Sequence, residues 1–213
     1  MTTVKDLFGR IADPAQPLLT WYDDATGERT ELSAATLGNW LAKTANMLVD
    51  GLGLGEGSTA HVALPPHWQT AAVLLGCAAA GVEVGDDPAA DAGFATVARL
   101  AEIDRCDERF AVSLHPFALP IRDLPGGVGD WATEVRQHGD FFGAYRPMKL
   151  EVSAAALAPG DRVLIDTGRH PDAETWLWAP LAAGASIVAV ANVNPSTVAA
   201  RAAAERVTVN WTA

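Results

Sequence analysis

The 213-residue sequence has few cysteines, few basic residues and no long apolar run. Its two cysteines, Cys77 and Cys106, form no CxxC motif, and the histidines and cysteines show no metal-site spacing. Only 15 Lys and Arg residues stand against 26 Asp and Glu residues, so the net charge is −11. This charge argues against nucleic acids and anionic membranes as partners, because phosphate groups require clustered basic residues.

Targeting and membrane signals are also missing from the sequence. The N-terminus has no charged segment followed by an apolar one, so no signal peptide is visible. No apolar stretch reaches the ~20 residues that a membrane span needs. We therefore expect a cytoplasmic protein that does not bind membranes.

Motifs for nucleophilic or nucleotide chemistry are weak. No Gly-x-Ser-x-Gly segment occurs, so the sequence lacks the motif that carries the nucleophilic serine of many hydrolases. Residues 51–57 (GLGLGEG) follow a predicted helix and precede a strand, which is the reverse of the dinucleotide-binding order. Residues 125–129 (PGGVG) have no strong strand before them and no Lys or Ser/Thr at phosphate-loop spacing. Both segments favour turns, with phosphate binding as the weaker alternative.

The strongest positive signal is an internal duplication. Residues 59–85 and 161–190 each read as a strand, a turn, a helix that ends in Ala-Ala-Gly, and a second strand. Each copy continues with Asp-Pro or Asn-Pro, an Ala-rich helix and a further strand. The pattern predicts an α/β fold of two β-α-β-α-β lobes, with mainly parallel sheets flanked by helices.

The domain organisation that follows is a single unit over 1–213. We expect lobes at about 14–114 and 151–213, joined by a connector over 115–150 that is rich in Pro and Gly. Apolar periodicity and turn residues predict the elements within this unit. They are a helix at 2–12, a hairpin at 17–32, a long helix capped by Ser33, a strand at 59–64, a helix at 67–80, a helix at 91–104, a strand at 110–114, a helix at 129–138 capped by Asp130, and a buried-type strand at 207–211.

Candidate site residues follow strands of the two copies. His67 and His170 each begin a crossover at the carboxyl end of a strand, where ligands bind in parallel α/β sheets. Asp166, Thr167 and Arg169 precede His170, so an acid, a hydroxyl, a cation and an imidazole fall within five residues. We take these five residues as a candidate ligand-binding site, with a solvated turn as the alternative.

Several segments resemble the N-terminal part of adenylate-forming enzymes, the superfamily of acyl-CoA synthetases and AMP-dependent ligases. Residues 29–33 (RTELS) are similar to the family's "TYAEL", and 53–65 (GLGEGSTAHVALP) to "GVGPGDRVALLLPN". Residues 160–188 resemble a later family segment that contains "LLAPLLAGATVVL", and 205–208 (ERVT) the strand that follows it. The resemblance covers most of the chain except about 90–150, and it implies the N-domain fold of that family.

The departures from the family concern its chemistry. The family's phosphate loop, rich in Ser, Thr and Gly, is expected shortly before Gly160, where residues 141–151 read FFGAYRPMKLE. The adenine-binding, ribose-binding and catalytic-lysine segments of the family are expected beyond Ala213. The resemblance therefore implies a truncated relative, and no catalytic residue is carried over to this sequence.

Three functions follow as hypotheses. The first is a non-catalytic homologue without cofactor or metal, which binds a small molecule, a protein partner or a second copy of itself. The second is an adenylating ligase subunit completed by a partner chain, for which ATP, AMP or CoA would be implied. The third is a small acyl-ligand binding module that keeps a pocket near His67 and residues 166–170.

Overall fold

A computed structural model describes residues 2–148 and 157–212. Within these residues the strands form two five-stranded sheets. The strands are β1 (Pro17–Asp23), β2 (Glu28–Ser33), β3 (Thr59–Ala63), β4 (Glu83–Gly85), β5 (Ala92–Ala95), β6 (Glu108–Ala111), β7 (Gly129–Asp130), β8 (Arg162–Asp166), β9 (Ser186–Ala191) and β10 (Val209–Trp211). The helices are α1 (Val4–Phe8), α2 (Ala34–Asn46), α3 (Trp68–Ala80), α4 (Trp131–Val135), α5 (Ala179–Ala183) and α6 (Pro195–Ala204). Short π-helical segments at Met47–Gly51 and Glu174–Trp178 extend α2 and precede α5.

The first sheet has the order β4-β3-β5-β6-β7, and all its strand pairs are parallel. The second sheet has the order β10-β8-β9-β1-β2, in which only the β1–β2 hairpin is antiparallel. These mainly parallel sheets, flanked by helices, confirm the predicted α/β class.

The β1–β2 hairpin joins the sheet of the second copy. β1 pairs with β9 in parallel, with Leu19 opposite Ile187 and Trp21 opposite Ala189. These four residues are buried, so the inner face of the hairpin completes the apolar face of the second sheet. The expected lobe at 14–114 thus contributes strands to both sheets, which the local hairpin pattern alone did not indicate.

Helix α3 is buried almost all round, as its sequence predicts. Twelve of its 13 residues are buried, and it contacts α2, β4 of the first sheet and β1 of the second. A Cβ atom at Gly76 would lie 2.5 Å from the side chain of Thr44 on α2, so glycine permits the close approach of these helices. The helix ends at Gly81 with φ of 80°, a left-handed cap that suits glycine.

Two predicted elements of the first lobe are wrong or displaced. The expected helix at 91–104 is instead the buried strand β5 followed by a 3₁₀ helix at Val97–Ile103. A Cβ atom at Gly93 would lie 2.6 Å from Ile103, so the small residues that suggested a helix here allow tight packing on a strand. The strand expected at 110–114 begins earlier, at Glu108, and ends at Ala111.

Helix caps agree better with the sequence. Ser33 Oγ accepts the N–H of Thr36 at 3.1 Å at the start of α2. Asp130 Oδ1 accepts the N–H of Thr133 at 2.7 Å at the start of α4, which is shorter than the predicted 129–138. Both results confirm the predicted caps, because short polar side chains satisfy the free N–H groups of a first helical turn.

The β10 strand lies at the edge of the second sheet and is not fully buried. Val209 and Trp211 are half-buried and Asn210 is exposed, so the prediction of a buried strand here is wrong. The outer face of this sheet has a small apolar cluster of Leu164, Val188 and Val190 beneath α6. No residue of α6 is itself buried, so this face is thinly covered.

Candidate functional site

The turn after β8 brings Asp166, Arg169 and His170 together at the carboxyl edge of the second sheet. Asp166 Oδ1 accepts the N–H of Gly168 at 2.9 Å, and its carbonyl oxygen accepts the N–H of His170 at 2.9 Å. Arg169 Nε lies 3.5 Å from Asp166 Oδ2, and 61% of the Arg169 side chain is exposed. The turn is compact, and it leaves the guanidinium accessible to a ligand.

Thr167 connects this turn to the neighbouring strand β9 through hydrogen bonds. It is buried, and both its N–H and its hydroxyl donate to the carbonyl oxygen of Val190, at 2.9 and 3.0 Å. The hydroxyl is thereby occupied, so Thr167 positions the turn rather than offering a free donor.

Trp211 adds an aromatic surface that the sequence did not assign to the site. Its ring centroid lies 6.3 Å from that of His170, which is half-buried. Trp211 pairs with Ile165 across β10 and β8, which places it one residue before Asp166 along the edge. The sequence predicts a last strand that ends at Trp211 and a strand that ends at the turn. Pairing these two strands in parallel would have placed Trp211 beside the turn.

His67 lies in a different environment. It is 2% exposed and caps α3, where its Nδ1 accepts the N–H of Gln69 at 3.2 Å. Its Nε2 lies 3.5 Å from Glu28 Oε1, and its ring meets Trp21 edge-on at 5.1 Å. Burial lowers the pKa of His67, and Glu28 opposes this effect. Because Nδ1 accepts from Gln69, the proton of the neutral ring lies on Nε2, which faces Glu28 Oε1 without forming a hydrogen bond.

His67 therefore joins the first-copy crossover to the β1–β2 hairpin. Among residues 2–148 and 157–212, no hydrogen bond, ion pair or aromatic contact links it to the turn at 166–170. The structure brings Asp166, Thr167, Arg169 and His170 together, and it places His67 apart from them.

The end of the connector packs along the first lobe. The N–H of Arg146 donates to the carbonyl oxygen of Ala79 at 2.9 Å, and the ring of Tyr145 contacts buried Phe142 with centroids 5.3 Å apart. Phe141 is 82% exposed. The stretch compared with the family's phosphate loop, 141–151, is described only as far as Met148, and its last three residues lie outside the described residues.

Both cysteines are buried free thiols. Cys77 is fully buried, as its apolar neighbours predict, and burial raises the pKa of its thiol to about 12. Burial also raises the pKa of Cys106. Over the described ranges, no group of three or more His, Cys, Asp or Glu residues is placed to hold a metal ion. None of the helices described has the length and apolar character to cross a bilayer.

Comparison with known proteins supplies a relative over nearly the whole chain. No family model matches the sequence. A TIGR03089 family protein of Mycobacterium tuberculosis is 43% identical over 240 aligned positions, which cover 98% of this chain and 99% of the relative.

Solved structures of acyl-CoA synthetases share the fold. The acyl-CoA synthetase of Brucella canis matches with a TM-score of 0.75 at 15% identity, and 98% of this chain covers 47% of that one. The acetoacetyl-CoA synthetase of Streptomyces lividans matches with a TM-score of 0.70 at 19% identity, and the match covers 98% of this chain and 42% of that one. The N-terminal domain of FACL13 from Mycobacterium tuberculosis matches with a TM-score of 0.66 at 14% identity, and the match covers 99% of this chain and 62% of that domain's chain.

The chain thus spans about half the length of the solved synthetases, and at these identities the likeness shows the fold alone. The relative of 43% identity is matched from end to end. The chain belongs to the TIGR03089 family, and it has the fold of the N-terminal part of acyl-CoA synthetases.

Proposed function

We propose that this protein is a non-catalytic homologue of the N-terminal part of acyl-CoA synthetases, and that it binds a small ligand at the turn Asp166–His170. The observation that carries the first half is the composition of 141–160. This stretch contains two glycines, Gly143 and Gly160, and a single Ser or Thr residue, Ser153. A triphosphate cradle needs glycines that let backbone N–H groups approach the phosphates, together with Ser or Thr hydroxyls, so the sequence supplies too few such residues for ATP.

The chemistry of the turn supports the second half. The exposed guanidinium of Arg169 can pair with a carboxylate through two parallel hydrogen bonds. The half-buried His170 and Trp211 lie beside it and offer apolar ring surface. A cation next to aromatic surface suits a small carboxylic acid with an apolar tail, which is the acyl class that the fold resemblance also suggests.

An exchange assay tests the non-catalytic half. The purified chain, incubated with ATP, labelled pyrophosphate and a panel of carboxylic acids, should show no exchange of label into ATP. Robust exchange with any acid in the panel would show that the chain adenylates and would remove this half of the proposal.

Thermal shift and calorimetry with the same acids, without ATP, test the binding half. A ligand at ~100 times its dissociation constant adds about 2.7 kcal/mol to the free energy of unfolding, which is easily detected. Arg169→Ala should weaken binding at least tenfold, since a charge-assisted pair is worth roughly 1.5–3 kcal/mol. Arg122→Ala removes an exposed cation from the connector and should leave binding unchanged.

One observation favours a second candidate, a ligase subunit completed by a partner chain. β10 pairs with β8 on one side and is the outermost strand of the second sheet among the described residues. An edge strand presents N–H and C=O groups that another chain can pair with. Pyrophosphate exchange that appears only when a co-purifying protein is added back would favour this candidate.

A further inference from the structure

A cavity of about 440 Å³ opens at the amino edge of the second sheet, opposite the turn at 166–170. Its walls include Arg162 and Ser186, the first residues of β8 and β9, and Pro17, the first residue of β1. The turn between α6 and β10 closes another side with Glu205 and Arg206. Residues far apart in the chain thus converge on one polar space.

The floor of this cavity is a fixed hydrogen-bond network around Arg162. The Arg162 side chain is 13% exposed, and its Nη2 donates to Glu205 Oε2 at 2.6 Å and to Thr20 Oγ1 at 2.8 Å. Its Nη1 donates to the carbonyl oxygen of Pro17 at 3.3 Å. The guanidinium is therefore held in place and has its charge paired.

Glu205 is the anion at the centre of the network. Its side chain is 8% exposed, and Oε1 accepts from Tyr22 Oη at 2.5 Å and from Arg29 Nη2 at 3.0 Å. Burial alone would raise the pKa of Glu205, but the hydrogen bonds from Tyr22, Arg162 and Arg29 lower it to about 2. The carboxylate is thus charged at all physiological pH values and fully used by its protein partners.

The charges that line the cavity do not balance. Three guanidinium groups face two carboxylates, which leaves one excess positive charge in a chain whose net charge is −11. The carboxylates are Glu31 and Glu205, which pair with Arg29 and Arg162. Arg206 is exposed on the cavity wall, and within the described ranges its guanidinium has no hydrogen-bond or ion-pair partner. The excess charge therefore belongs to Arg206.

The backbone of Arg206 is also unusual. Its φ is 54°, in the left-handed region that non-glycine residues adopt at a cost. The Nη1 group of Arg29, on the same cavity, likewise has no protein acceptor in the part of the chain described. Two sets of free guanidinium N–H groups thus line one cavity whose other charges are already paired.

We propose that this cavity binds a small organic anion through a single carboxylate or phosphate group. Arg206 neutralises the anionic group, and Arg29 Nη1 donates a further hydrogen bond. The Arg162–Glu205 network forms a rigid floor that does not have to rearrange. This site lies at the opposite edge of the sheet from the turn at 166–170 and does not depend on the function proposed for that turn.

Nuclear magnetic resonance titration of the ¹⁵N-labelled chain tests this site, with acetate and inorganic phosphate as separate probes at constant ionic strength. Saturable shifts are expected at the backbone amides of Gly160, Ser186 and Thr208, which line the cavity. Arg206→Gly should weaken binding at least tenfold, and it should fold, because glycine accepts the φ of 54°. Arg122→Ala is the matched loss of a remote exposed charge and should leave the affinity unchanged.

The two probes assign the anionic group. Saturation by acetate alone indicates a carboxylate ligand, saturation by phosphate alone indicates a phosphate ester, and both outcomes support the site. The proposal is overturned if neither probe gives saturable shifts at the cavity, or if the shifts persist with unchanged affinity in Arg206→Gly.

Discussion

Replacing Glu205 by Gln should lower the free energy of unfolding by about 2–3 kcal/mol at neutral pH. The substitution keeps the size of the side chain and removes the charge that Arg162 and Arg29 share. Arg162, at 13% exposure, would then be left with a neutral partner. Breaking a largely buried pair costs more than losing a surface pair, because the remaining charge is poorly solvated.

The magnitude comes from the ionisation of Glu205. A carboxyl group whose pKa falls from 4.5 in the unfolded chain to about 2 in the folded chain contributes roughly 3 kcal/mol above pH 4.5. This contribution is present above the unfolded pKa, since the folded state holds the charged form more tightly. It is lost as the pH falls from 4.5 towards 2, because protons then bind the unfolded state first.

Urea denaturation of the wild type and the Gln variant, at several pH values from 7 down to 2.5, measures both effects. The difference between the two proteins should be largest at neutral pH and should shrink below pH 4.5. Glu102→Gln is the matched control, since Glu102 pairs with Arg99 on the surface with both side chains 44% exposed. Equal stability of the Glu205 and Glu102 variants, with parallel pH profiles, would refute the reasoning.

Two further predictions concern packing and a buried histidine. Gly76→Ala should destabilise the fold by about 1–2 kcal/mol, because overpacking against Thr44 outweighs the roughly 1 kcal/mol gained in helix propensity. Gly38→Ala in α2 should instead stabilise it, since its Cβ atom would meet Phe8 at an ordinary 3.7 Å; urea midpoints that move in the same direction for both variants would contradict this. His67→Asn keeps an N-cap acceptor and removes a buried titratable group whose pKa is lowered. The wild type should lose stability as the pH falls below 6.5, because the unfolded state then binds a proton that the buried ring resists, and the variant should lose less. Thermal unfolding of both proteins at pH 7 and pH 5 measures this difference. An unchanged pH dependence in this variant would show that His67 is not the group that titrates.

Local patterns predicted the elements that depend on local forces. The α3 helix, its Gly81 end and the Asp130 cap follow from apolar composition, left-handed glycine and a short polar side chain, all of which act within a few residues. The strand at Ala92–Ala95 was missed because alanine and glycine are compatible with both helix and buried strand. It is a strand because it pairs with β3 and β6, and periodicity does not report such long-range pairing.

The placement of the β1–β2 hairpin could not be predicted for a different reason. The hairpin is local, but its sheet is chosen by the pairing of Leu19 with Ile187, which are far apart in the sequence. The same long-range choice determines the environment of His67. Because the hairpin crosses to the second sheet, Glu28 and Trp21 come to lie against His67 and bury it. A residue that looked accessible by its position after a strand is thus packed between the two sheets.

The two candidate sites use opposite ends of one short strand. Trp211 closes β10 beside the turn at 166–170, whereas Thr208 precedes it at the amino-edge cavity. The Glu205 network anchors the start of this segment, so a change there can disturb both ends. Substitutions within the network therefore cannot assign a binding effect to one site. Arg169 and Arg206 can, because each is exposed and the fold does not depend on its charge: Arg169 has one long contact to Asp166, and Arg206 has no partner among the residues described.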